Sequence, residues 1–510
     1  MTKILIKTGD FLYSFDKKIS RAVNRLFDLF FGFDTENTMP ASVYKKLEGL
    51  LSKNSFLILC LAAVISSISV SLPGAFGYAV LILMVFIFSF ARPAAGLALT
   101  ALFFAMDTRA DLGPVTIFST QALLTMNIIG AALNLAVTKS YKNAVYTGIT
   151  PALLLLVAAL IPALYMPQKT VIIKSLLKSS ELFIAYFLCV LFIRKKEDFA
   201  NILAFLSFTV LILLALSARD FLNPKAILPV IEIQEDIFIP RLSGGMGVTA
   251  FPAWLNMVFP VSLALLLSFK YGKLRGFLFF ISSSLIFASI IALPFSRAGW
   301  IVLVISVFLI IISLISGVVK QNIKKITVAA VFVFGSVVSV FMLNAVTGDA
   351  FASLRTRALD TFKSGTASYS SMQNRIYFLK MGIKMTGDYP LGIGPGNHKN
   401  IAYKYRIKKD MDPAYIHHLH NLYIQVLVET GILGLIALAL FFVYFLYFVI
   451  TAWKKSGPGK DKIIIYFFLV SFTCFALESM FDVFLIFSRG VFAGFIFGSF
   501  IGYISRKTGR

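Results

Sequence analysis

Apolar residues in this chain collect into runs of 15 to 22, parted by short breaks that are basic or contain proline and glycine. Hydrocarbon offers the backbone no hydrogen-bond partners, so a segment of that length must close its own ladder as a helix. The pattern predicts helices over 55–72, 74–91, 93–106, 115–137, 147–166, 178–193, 198–217, 250–269, 276–294, 298–317, 326–345, 421–452, 463–480 and 483–504. Ahead of the first run, Phe11, Phe15, Ile19, Val23, Leu26 and Phe30 recur every three to four residues, opposite Lys17, Lys18, Arg21 and Arg25. That spacing predicts an amphipathic helix lying on the inner leaflet, with a partner-binding helix as the alternative. No repeat of 20 to 50 residues is visible.

Composition agrees with the pattern. With 58% of its 510 residues hydrophobic, 14% charged and a mean hydropathy of +0.85, the chain is too apolar for a soluble fold. The net charge of +24 raises the question of a nucleic-acid partner, and its placement answers it. Alternating sides from a cytoplasmic N-terminus puts 28 of the 48 Lys and Arg inside and nine outside, leaving the segment 346–419 aside. This is the positive-inside asymmetry, so no nucleic acid is expected. The fold class expected is all-α: a polytopic integral membrane protein of about fourteen transmembrane helices with both termini cytoplasmic. Its divisions are 1–54, cytoplasmic with the interfacial helix; 55–345, helices 1 to 11; 346–419, a large extracytoplasmic loop; and 420–510, helices 12 to 14 with a cytoplasmic tail. Because 54 largely polar residues come first, no removable signal peptide is expected. Cys60, Cys189 and Cys474 lie in predicted helices without paired spacing, which supports neither a disulfide framework nor a cysteine metal site.

Candidate chemistry concentrates at the end of the large loop. All four histidines, His398, His417, His418 and His420, fall within 23 residues. The loop has 11 Lys/Arg against five Asp and no Glu, a basicity free to meet an anionic ligand or lipid headgroups. The run from Asp388 to His398 packs Gly392, Gly394 and Gly396 with Pro390 and Pro395, backbone that turns tightly and lets amides approach a ligand. Farther on, His420-Asn421 is followed by nine residues and then Gly431-Ile432-Leu433-Gly434.

That His-Asn, nine-residue, Gly-x-x-Gly spacing resembles the signature of the O-antigen ligase and polymerase superfamily of bacterial glycan-assembling membrane enzymes. Three more segments agree in order: Arg241-Leu242-Ser243-Gly244, Ser296-Arg297-Ala298-Gly299, and Asn374-Arg375 leading into Pro390–Gly396. The likeness covers roughly residues 240–450. Gly247-Val248-Thr249-Ala250 and Leu435 depart from the family pattern, which leaves both ligase and polymerase open.

The resemblance implies glycosyl transfer from a polyprenyl-diphosphate-linked glycan donor to a hydroxyl of a glycan, lipid-linked or protein acceptor, on the outer face of the bacterial cytoplasmic membrane. An imidazole with an ordinary pKa of about 6.5 suits His420 as general base, and direct attack on the anomeric carbon inverts it. The departing diphosphate needs charge stabilisation, for which the forked guanidiniums of Arg241, Arg297 and Arg375 are candidates. Gly394, Gly396, His398, Asn421, Gly431 and Gly434 are expected to support the motif. No cofactor and no metal is expected, since no carboxylate or cysteine at fitting spacing completes a set with the histidines. Glu429, inside a predicted helix, is expected to pair, and Glu478 and Asp482 flank an outer turn that could meet the loop. The competing class is a polysaccharide transporter or flippase without chemistry, for which internal repeats and mid-membrane charges are the missing signs.

Overall fold

The computed structural model describes residues 2–31, 39–53, 55–70, 76–104, 109–112, 115–139, 145–193, 195–223, 230–234, 237–240, 242, 250–269, 273–347, 367–405, 418–457, 459–483 and 490–507. Helices α1 (Thr2–Phe31) and α2 (Met39–Lys53) precede the first apolar run. Then come α3 (Ser55–Val70), α4 (Phe76–Ala91), α5 (Pro93–Phe103), α6 (Ser119–Thr138), α7 (Ile149–Leu160), α8 (Lys169–Phe192) and α9 (Lys196–Leu222). The second half holds α10 (Ala250–Ser268), α11 (Lys273–Ala292), α12 (Arg297–Ile315), α13 (Asn322–Thr347), α14 (Ala367–Asp388), the single turn α15 (His398–Ile401), α16 (Leu422–Lys455), α17 (Lys460–Glu478) and α18 (Val491–Lys507). The helical class stands, with two small additions. Short antiparallel hairpins pair Arg109–Leu112 with Val115–Phe118 and Val230–Gln234 with Ile237–Pro240.

Among the described residues, α6, α8 to α13 and α16 are long and apolar enough to cross a membrane, eight helices in all. Helix α10 is the hub: every residue but Leu266 is buried, and α9, α11, α12 and α17 pack on it. Helices α12 and α13 turn Ile301, Val304, Phe308, Val333 and Phe341 outward, as expected of faces that meet lipid. The helix predicted at 93–106 exists, but as eleven residues that are all buried between α4, α6 and α9. It rises only about 16 Å, roughly half a hydrocarbon core. The segment 346–419, expected as a loop, carries the 22-residue α14 and the turn α15.

Small residues set the contact between α18 and α8. Gly494, Gly498 and Gly502 form one face of α18, and a Cβ at each would stand 2.4, 2.5 and 2.9 Å from carbonyl oxygens of α8. Packing of this kind holds helices together where water exclusion cannot. Helix α1 lies against α7 and α16. The face it buries is not the predicted apolar one, since Leu12, Tyr13, Asp16, Ser20 and Asn24 are covered while Phe11, Phe15 and Leu26 stay exposed.

Candidate functional site

Helix α16 is broken at Gly431, whose φ of 68° and ψ of −171° only glycine adopts readily. A break inside an apolar helix frees backbone groups that must find partners in protein. The glycine-proline run supplies them. Ile393 N donates to Val428 O at 2.9 Å, Gly394 N to Glu429 O at 2.8 Å, and Ile432 N to Pro390 O at 3.1 Å. Contact is backbone to backbone, and a Cβ on Gly392, itself at φ 90°, would stand 2.5 Å from Glu429 O. Gly434 leaves room for the Thr430 hydroxyl, which donates to Val426 O at 2.6 Å. The two glycine motifs are therefore one structural unit, and the amides of Ile393, Gly394 and Gly396, in the run expected to approach a ligand, are spent on α16.

Buried Glu429 ties this unit together. Its Oε1 accepts from Gly396 N at 2.9 Å and from Gln425 Nε2 at 2.8 Å, and lies 3.0 Å from His398 Nδ1, which donates to it when that nitrogen carries the proton. Gln425 Oε1 in turn accepts from Leu419 N at 2.8 Å. The chain just before His420 is thereby fixed to the network that holds His398.

Asn421 caps α16, its Oδ1 accepting from Ile424 N at 3.0 Å, while its Nδ2 donates to Met480 O at 3.1 Å. Leu422 N donates to Ser479 O at 2.8 Å, so the turn after α17 is clasped to the start of α16. This places Asp482 beside the histidines: His418 Nε2 is 3.1 Å and His420 Nδ1 3.7 Å from its Oδ1. The two imidazoles meet edge to face at 4.1 Å between centroids, and Phe378 of α14 lies 5.6 Å from His420. His420 adopts φ 49°, a left-handed conformation that costs a side-chain-bearing residue about 1–2 kcal/mol.

Arg375, on α14, reaches the same turn. Its guanidinium sits 5.8 Å from the centre of the Phe481 ring. Burial lowers its pKa, while the carboxylates of Asp482 and Glu478 favour its charge. Glu478 leads on to α12: Asn256 Nδ2 donates both to Glu478 Oε1 at 2.7 Å and to Gly299 O at 3.0 Å. Arg297 opens α12, capped by Ser296, two residues after Phe295, a buried residue at φ 45°. Arg241 and His417 lie outside the described residues, but the neighbouring Leu242 is buried and donates through its amide to Leu293 O at 3.0 Å, close to Arg297 in sequence.

The fold thus brings His420, Arg375 and the start of α12 to one rim, and adds Asp482, Glu478 and Gln425. Sequence reasoning gave the two acids only a passing place, and nothing in the spacing singled out Gln425. The signal available was the burial cost of two carboxylates so close to a helix end. His418, His420 and Asp482 could also hold a metal ion, their ligand atoms lying within 4.8 Å of one another. Asp482 is therefore the carboxylate that spacing along the chain did not offer.

Comparison with known proteins meets this geometry directly. Residues 282–439 match the O-antigen ligase family. The matched segment runs from α11 to the middle of α16 and contains Arg297, Arg375, the glycine unit and His420. Asp482, Glu478 and Arg241 fall beyond it. No curated protein matches the chain. The family and the apolar helices together support a multi-pass membrane protein of the glycan ligase or polymerase kind.

Beside the glycine unit a cavity of about 260 Å³ opens between α7, α8 and α16. Leu153, Leu156, Leu176 and Phe183 line it, and Pro395, Glu429 and Thr430 close one side.

Proposed function

We propose that the protein transfers or polymerises glycan from a polyprenyl-diphosphate donor onto an acceptor hydroxyl at the outer rim of the cytoplasmic membrane, with about fourteen membrane segments, the short α5 among them, and both termini inside. The observation that carries this reading is the meeting of His420, Asp482 and Arg375 at the clasp between α16 and α17. His420 removes the acceptor proton as the oxygen attacks the anomeric carbon, and Asp482 stabilises the imidazolium that forms. The bond to the diphosphate breaks with inversion, and Arg375, Arg297 and Arg241 receive the charge of the leaving group. Glu429, Gln425 and His398 hold the broken helix so that His420 keeps its place. The cavity fits an apolar lipid chain, in keeping with a lipid-linked donor.

The decisive experiment mixes purified protein with a lipid-diphosphate glycan and candidate acceptors and sizes the products. A single large addition identifies a ligase and a ladder a polymerase; absence of any glycan transfer while the protein moves the lipid-linked glycan across vesicles makes it a transporter.

A further inference from the structure

Helix α1 has two faces that ask for different surroundings. Toward the protein its centre is polar. Asp16 Oδ2 accepts from Gly148 N at 2.6 Å, and Oδ1 accepts from the Thr150 amide at 2.9 Å and its hydroxyl at 2.6 Å. Tyr444 of α16 also donates to Asp16, and Ser20 Oγ accepts from Tyr146 N at 2.8 Å. Gly148, the N-cap of α7, makes no side-chain cap, so a carboxylate from another helix does its work. Burial raises the Asp16 pKa, and its hydrogen bonds oppose that rise.

Away from the protein, Ile4, Phe11, Phe15 and Leu26 are 71%, 61%, 40% and 54% exposed. Their spacing puts them on one stripe. Lys7, Lys18 and Arg25 run along its edge, all exposed, with Lys18 Nζ 5.3 Å from the Phe15 ring centre. An apolar stripe with a cationic border matches an anionic bilayer surface, which takes up rings and aliphatic tips while its headgroups pair with the lysines.

We propose that α1 is a two-sided strap, seated by this stripe in the anionic cytoplasmic leaflet and fastened through Asp16 to α7 and α16. Because α7 walls the cavity described above, the strap fixes that wall relative to the leaflet. The inward placement rests on the topology proposed for the whole chain, whereas the seating depth and the fastening do not.

The test uses full-length protein lacking its three cysteines, carrying single spin labels in proteoliposomes of phosphatidylglycerol and phosphatidylcholine. Labels at Phe11 and Phe15 are expected to collide more with oxygen than with a soluble nickel chelate, and a label at Ser14 the reverse. Nickel access at residues 11 and 15 equal to that at 14 overturns the seating, and shielding from both reagents assigns the face to a protein partner instead. For the fastening, the distance distribution between labels at Ser14 and Lys455 should broaden severalfold in Asp16→Ala, and less in Tyr444→Phe, which removes one donor. A narrow distribution in a folded Asp16→Ala protein overturns the latch. Sided thiol labelling at Lys455 reports topology separately, so failure there is distinguishable from failure of the strap.

Discussion

At the scale of single residues the candidate site depends on two side chains whose chemistry cannot be exchanged for something similar. His420 is turned toward Asp482 by a left-handed backbone step, and His418 meets the same carboxylate through Nε2 at 3.1 Å, so His418→Ala is the control for any change at His420. His420→Ala is expected to lower glycan transfer by about 10²–10⁴-fold with membrane level unchanged, measured on lipid-diphosphate donor. A rate equal to wild type removes the base assignment. Arg375 offers a planar fork beside Phe481, and lysine would keep its charge without the fork. Arg375→Lys should cost about ten- to hundredfold in kcat/KM for the donor, the worth of one or two charged hydrogen bonds, with little change for the acceptor. Equal loss toward both substrates would show instead that Arg375 serves only to hold the clasp. The sequence pointed to both residues through motif spacing. It could not pair either with Asp482, because 62 residues and an entire helical hairpin separate His420 from its carboxylate along the chain.

At the scale of elements the determining feature is the interruption of α16. The apolar run alone reads as one continuous helix, and the Gly-x-x-Gly motif alone reads as ordinary small-residue packing. Together with the glycine-proline run they form a break whose freed carbonyls are filled by Ile393 and Gly394. Gly431→Ala should therefore destabilise the protein by about 1–3 kcal/mol, read as a lower thermal midpoint in detergent. Gly276→Ala is the matching control: nothing lies within 4 Å of a Cβ there, and a helical glycine with open space around it gains stability on replacement. An unchanged midpoint in Gly431→Ala would mean that α16 runs straight. The same break explains why buried Glu429 is tolerated in an apolar helix, since three polar groups surround its Oε1.

At the scale of the whole molecule the arrangement is a helical body around α10 with a candidate rim formed by the starts of α12 and α16, the end of α17 and one side of α14. Two predictions belong here. Sided thiol labelling should find cysteines placed at Lys399 and Lys455 on opposite faces of the membrane; labelling from the same face contradicts the topology and, with it, the outward site. Transfer should also persist in a chelator, and loss restored by added divalent metal would reassign His418, His420 and Asp482 as ligands. The sequence by itself determined the helical, membrane-embedded class, the approximate positions of most apolar helices and the cluster of histidines, because hydropathy and charge asymmetry act locally and can be read a window at a time. Only the tertiary structure decided that Asp482 and Glu478 join the rim, that the glycine motifs complete a broken helix, that α5 is a short buried element and that α1 turns a polar face inward. Each of these depends on which backbone groups and charges lie opposite one another across helices distant in sequence, a relation that no local period encodes.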